Sequence, residues 1–251
     1  MTGRVEGKVC LISGTASGMG RAAAIRFASE GGLIVGADLD PVGNDRTARM
    51  VRDAGGRMDA MAPVDLAEMA QAQAWVERGV ALHGQIDVLY NNASACVFAP
   101  IAAMSVTEWD FTLRNEMTIV FVATKAAWPY LCARGGVIIN TASVAGHGGG
   151  PGGIGHSATK AAVMAMTHVM AAEGAPNGVR AVSISPGVID TPGSADQLSQ
   201  PGVLEALLSR SLVPRVARAE EVASLAIFLA SDEAAYITGA DFLVDGGLTN
   251  H

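Results

Sequence analysis

Residues 9–21 read VCLISGTASGMGR: a short, mostly apolar run, then glycines at 14, 18 and 20, then a helical pattern from Arg21 to Glu30. Glycines at that spacing let a chain leaving a strand turn tightly and approach a pyrophosphate. The ligand's charge is then met by amide groups at the helix N-terminus. Gly14, Gly18 and Gly20 carry the pattern, with Ser17 and Met19 between them. Its second half is VGADLD, residues 35–40, where Asp38 closes the next apolar run and Leu39 follows. An acid so placed holds a ribose diol and repels a 2′-phosphate. No Arg or Lys lies between Gly14 and Gly20. NAD(H) is therefore the preferred cofactor and NADP(H) the lesser one.

Outward from this stretch, short apolar runs alternate with longer helical patterns. Strands are predicted at Val9–Ser13, Leu33–Ala37, Arg57–Pro63, Val88–Asn91, Gly136–Thr141, Val179–Ser185 and Asp241–Asp245. Helices are predicted around Met50–Asp53, at Ala67–Leu82, Thr107–Ala133 and Ser157–Gly174, through Leu212, and at Ala219–Ser231. Runs this continuous in apolar residues suit strands buried on both faces of a parallel sheet, covered by crossover helices. The expected class is α/β, a doubly wound parallel sheet in a single domain over residues 1–251. The glycine-rich run 146–155, GHGGGPGGIG, reads as a loop inside that domain.

The formal net charge of −7 gives no reason to expect a nucleic-acid or anionic-membrane partner. A small molecule is the expected one. Cys10, Cys96 and Cys132 are odd in number and widely spaced, as reduced thiols of a cytoplasmic protein would be. No run approaches the ~20 apolar residues of a membrane helix. His83 and His168 read as surface or packing residues, and no histidine pair has ligand spacing, so no metal site is expected.

Together, the glycine motif, Asp65 in PVDL, Asn91–Asn92–Ala93, Ser143 in INTASVAG, the Lys160 helix, SPGVIDTP and ITGADFLVDGG resemble the short-chain dehydrogenase/reductase family. The similarity runs from about residue 5 to residue 248. It implies a Rossmann-type fold and an oxidoreductase moving hydride between nicotinamide and a hydroxyl or carbonyl group. It also implies that Asp65 and Leu66 flank the adenine, that Asn91 and Ala93 line the cofactor groove, and that Pro186, Gly187, Val188 and Thr191 cover the nicotinamide. A homotetramer or homodimer follows from the same resemblance. The segment 192–214 reads as a substrate lid whose VLEALL stretch suits an apolar ligand, or as a plain amphipathic helix.

The departures from the family pattern fall in the catalytic set. Where the family carries Tyr-x-x-x-Lys, residues 156–160 read HSATK, and the family's helix asparagine falls on Glu116. Asn115 is adjacent, but a one-residue slip would turn the helix by about 100°. The expected set is thus Ser143, His156, Lys160 and Glu116, with Ser94 where the family usually has glycine. Histidine, with a reference pKa near 6.5, can exchange a proton at working pH as tyrosine does, and Glu116 can balance the cation it forms. Alternatively, Glu116 stabilises an iminium carbon, which would make the protein a cyclic imine reductase. A third reading is a non-catalytic NAD(H)-binding sensor or structural subunit. His147, Cys96 and Phe98 are candidates for the substrate cavity, with loop exposure or packing as the plain alternative.

Overall fold

The computed structural model describes residues 3–250 as a single α/β domain. Its centre is a seven-stranded sheet of β1 (Val9–Ser13), β2 (Leu33–Ala37), β3 (Arg57–Met61), β4 (Val88–Asn91), β5 (Val137–Thr141), β6 (Arg180–Pro186) and β9 (Asp241–Val244). The strands lie in the order β3-β2-β1-β4-β5-β6-β9, all parallel. Alternate residues of β1 serve opposite cores: Cys10 and Ile12 pack on one face, Val9 and Leu11 on the other. On the first face lie α1 (Gly18–Ser29), α2 (Pro41–Asp53) and α9 (Ala219–Ala230), and on the second α3 (Met69–His83), α5 (Ile119–Arg134) and α6 (Ile154–Gly174), with α4 (Val106–Leu113) against the start of α6. This is the doubly wound arrangement expected from the apolar runs.

Four local features differ from the sequence expectation. The helix predicted over Thr107–Ala133 is broken into α4 and α5 by a π-type turn at Arg114–Thr118. Helix α6 begins at Ile154, so His156 lies in its first turn and not ahead of it. Asp40 caps α2 by accepting from the Val42 N–H at 3.0 Å, so that helix starts at Pro41. Finally, Ile189–Asp190 (β7) and Ala217–Arg218 (β8) form a two-residue parallel ladder. Between them run α7 (Pro192–Leu198) and α8 (Val203–Leu208), so the predicted lid is an excursion closed at its base.

No helix among the described residues is long and apolar enough to cross a membrane.

Candidate active site

A cavity of about 1050 Å³ opens beyond the carboxyl ends of the strands, beside β1 and β4, where the order of the sheet reverses. The β1–α1 turn forms one wall. Gly14 has φ +74° and Gly18 φ +51°, backbone conformations that side chains rarely adopt. A Cβ on Gly20 would sit 2.0 Å from the Gly14 carbonyl oxygen. Gly20 thus lets the turn fold onto its own helix and does not line the cavity, whereas Gly14, Ser17, Gly18 and Met19 do. The first turn of α1 carries no acidic residue.

Asp38, at the end of β2, accepts from the Ala16 N–H at 2.8 Å and the Asp40 N–H at 2.9 Å. Each carboxylate oxygen keeps lone-pair capacity for a further donor. Asn92 lies over the glycine turn, donating to the Ser13 carbonyl at 3.0 Å while its buried Oδ1 has no partner. Glycine cradle, acidic ribose position and unpaired acceptor suit a dinucleotide. Leu39, Asp65, Leu66, Ala93, Pro186, Gly187, Val188 and Thr191 line the same cavity. Asp65 is held by Arg114 at 2.9 Å, which, with the Ala67 N–H, keeps its carboxyl below the usual range against the upward push of partial burial.

Asn91 is a correction. Its amide donates to Asn140 Oδ1 at 2.8 Å and Thr124 Oγ1 at 3.1 Å, tying β4 to β5 and α5 beneath the cavity floor. An asparagine ending a fully buried strand satisfies its amide sideways, within the sheet, and its neighbour Asn92 meets the cavity instead.

Ser143, His156, Lys160 and Glu116 line the other half. Gly155 makes their meeting possible: a Cβ there would lie 3.1 Å from Thr112 Cγ2, so the first turn of α6 packs closely on α4. Thr112 also accepts from the Val97 N–H at 3.1 Å, holding the loop after β4 over the same helix. The π turn then directs Glu116 inward, where it is fully buried, while Asn115 bonds back to the Phe111 carbonyl at 2.8 Å.

Every oxygen of the Glu116 carboxylate is engaged. Oε1 accepts from Ser94 Oγ at 2.6 Å and faces His156 Nδ1 at 2.9 Å; Oε2 accepts from Thr159 Oγ1 at 2.5 Å and lies 3.0 Å from the same Nδ1. Lys160 Nζ is 3.7 Å from Oε1 and donates to the Thr141 carbonyl at 3.0 Å. Burial pushes this carboxyl upward, but the Lys160 ammonium and the bonds from His156 and Ser94 outweigh it and hold the group at about 2. A carboxylate only accepts, so Nδ1 is the protonated ring nitrogen and Nε2 is left for the cavity. The ring lies against Phe98, with centroids 5.4 Å apart. Ser143 Oγ accepts from the Ala145 N–H at 3.1 Å, so its own proton is free to be donated.

Ser94 and Thr159 were not among the sequence candidates, since no short motif connects them to a glutamate 22 and 43 residues away. His147 does reach the cavity, but its Nε2 is bound to Asp241 at 2.7 Å. Cys96 also lines it, as does Phe98. From the lid, Leu198, Leu207 and Arg210 close the outer side.

A doubly wound sheet with a dinucleotide-type cradle beside a buried cluster of ionisable side chains is the architecture of nucleotide-dependent oxidoreductases. A family model described as enoyl-(acyl carrier protein) reductase matches residues 14–249. The chain is 37% identical over 246 residues to the 3-oxoacyl-(acyl-carrier-protein) reductase FabG of Thermotoga maritima, covering 98% of this chain and 99% of that protein. It is 34% identical over 248 residues to a cyclopentanol dehydrogenase of Comamonas, with 98% and 99% covered. A solved short-chain type dehydrogenase/reductase from Mycobacterium marinum superposes with a TM-score of 0.92 at 28% identity, over 98% of this chain and 96% of that one. The chain belongs to the short-chain dehydrogenase/reductase family, whose members use nicotinamide cofactors.

Proposed function

We propose that the protein is an NAD(H)-dependent oxidoreductase interconverting a hydroxyl and a carbonyl group, with His156 as the proton-exchanging group and Glu116 as the residue that orients and charges it. The observation that carries this reading is the 2.9 Å contact between His156 Nδ1 and a fully buried carboxylate. It fixes the tautomer and leaves Nε2 for a substrate proton. Bound nicotinamide supplies the hydride in one direction and accepts it in the other. Ser143 Oγ donates to the substrate oxygen, and His156 Nε2 takes the hydroxyl proton in oxidation or returns it in reduction. The imidazolium formed at that moment is stabilised by Glu116, while Lys160 balances the carboxylate between turnovers.

NAD(H) over NADP(H) is supported by Asp38, whose charge disfavours a 2′-phosphate. The apolar side chains of Val97, Phe98, Leu198 and Leu207 support a largely apolar substrate of small to medium size. Reduction of a carbonyl is better supported than reduction of an imine, because both Glu116 oxygens are already taken by side chains of the protein and none is turned to an iminium carbon. The sensor reading is less supported, since Ser143, His156 and Lys160 line one cavity together.

The test follows NADH and NADPH absorbance from pH 5 to 9 against alcohols, ketones, aldehydes and cyclic imines. Turnover of a hydroxyl/carbonyl pair with NAD(H), reduced roughly 10²–10⁴-fold in His156→Ala with NADH binding kept, is the expected result. Full turnover by that variant would remove the histidine from the chemistry.

A further inference from the structure

We propose that Cys96, Glu116 and His156 form a binding site for a thiophilic divalent metal ion, of which Zn²⁺ is the probe. One ligand atom from each lies within 4.8 Å of the other two: the Cys96 sulfur, a Glu116 oxygen and a His156 ring nitrogen. The three residues come from the loop after β4, the π turn and the first turn of α6, so no sequence spacing announces them. Thiolate, imidazole and carboxylate are the donors zinc takes, at about 2.3, 2.0–2.1 and 2.0–2.2 Å. A tetrahedral ion with those bond lengths sets its donors about 3.4–3.6 Å apart. The Glu116–His156 contact, 2.9 Å, must open by roughly half an ångström, and the Cys96 sulfur already lies within 4.8 Å of both donors.

The surroundings suit the ion. One thiolate and one carboxylate cancel its charge, so the buried cluster carries the single positive charge of Lys160, whose ammonium keeps its bond to the Thr141 carbonyl. Ser94 and Thr159 already donate to Glu116, the arrangement that orients a ligating carboxylate. A coordinating ion takes Cys96 as its thiolate and releases the thiol proton to solvent. Hard ions such as Mg²⁺ gain nothing from a thiolate.

A consequence follows that rests on the function proposed above. A metal on Nδ1 displaces the ring's one proton from that nitrogen to Nε2. The ring can neither accept the substrate's proton nor readily give up its own, so zinc blocks both directions of turnover.

The first measurement uses Co²⁺ as a coloured substitute for zinc. Titration of the intact protein should give a thiolate-to-cobalt charge-transfer band, displaced by Zn²⁺ and not by Mg²⁺. Cys96→Ala, with Cys96→Ser as the volume-preserving alternative, should lose the band and bind Zn²⁺ at least tenfold more weakly. No such band in the wild type, or the same zinc affinity after removal of Cys96, would overturn the site. Zinc bound with the thiolate signature but without loss of turnover would uphold the site and sink the catalytic role of His156.

Discussion

Replacing Glu116 by Gln takes away one charge and almost no volume. The amide oxygen can still face Ser94 and His156, and its NH₂ can donate to Thr159, whose hydroxyl already has the Gly155 and His156 carbonyls at 3.0 and 2.9 Å to donate to. The cluster therefore stays hydrogen-bonded, and the change isolates charge. A carboxyl held at about 2, when its ordinary value is 4.5, reflects roughly 3 kcal/mol of net preference for the ionised form, shared among Lys160, His156 and Ser94. A charge-assisted hydrogen bond contributes about 1.5–3 kcal/mol and a neutral one about 0.5–1.5, so the imidazolium loses about 1–2 kcal/mol. That corresponds to a 5–30-fold fall in kcat/KM for carbonyl reduction at pH 7. NADH affinity, read by fluorescence quenching, should stay within about twofold because no atom of the Asp38 half moves. A variant with wild-type kcat/KM from pH 5 to 9 would refute the coupling. A loss confined to NADH affinity would assign Glu116 to Lys160 and the cofactor.

Three further outcomes follow from the same geometry. His156→Tyr alone places a longer phenol between Phe98 and a buried carboxylate that opposes its ionisation, so adding Glu116→Asn should raise its activity at least tenfold, and purely additive effects of the two changes would contradict this. Because the folded-state carboxyl of Glu116 is depressed, its stabilisation is complete above the unfolded value of 4.5 and is lost as pH falls through about 2. Urea unfolding at pH 5 and pH 3 should therefore show a drop about 2 kcal/mol larger in the wild type than in Glu116→Gln, and equal drops would show that the cluster does not hold the charge. Asp38→Asn should weaken NADH binding roughly tenfold and narrow its advantage over NADPH, and unchanged selectivity would move cofactor choice elsewhere.

Sheet and cradle were legible because local pattern determines them. Five-residue apolar runs such as Val9–Ser13 have nowhere to go but a doubly covered sheet, and Gly14 and Gly18 advertise backbone angles that other residues rarely adopt. The identities of His156 and Glu116 were equally legible as departures from a pattern. Their pairing could be expected from chemistry, but its geometry could not, since the 2.9 Å approach depends on where a helix breaks and on a glycine at a helix crossing. Asn91 shows the opposite case: its place in the motif suggested the groove, and the hydrogen-bond demand of a buried amide turned it to Asn140 and Thr124 instead. Ser94, Thr159 and the Cys96 cluster escaped because tertiary proximity alone unites them.

The π turn at Arg114–Thr118 has a consequence for how such a site arises and disappears. A π turn accommodates one residue more than a regular helical turn, so deleting a single residue anywhere within it would let α4 and α5 fuse into one continuous helix. The flanking segments would keep their facing, but the side chains of the turn itself would be re-aimed, so Glu116 would leave the ring of His156 without any change in its own identity. Loss or gain of one codon, which substitution-based comparison scores as a gap, is therefore a route by which a chain of this family can acquire or abandon a histidine-based proton exchange.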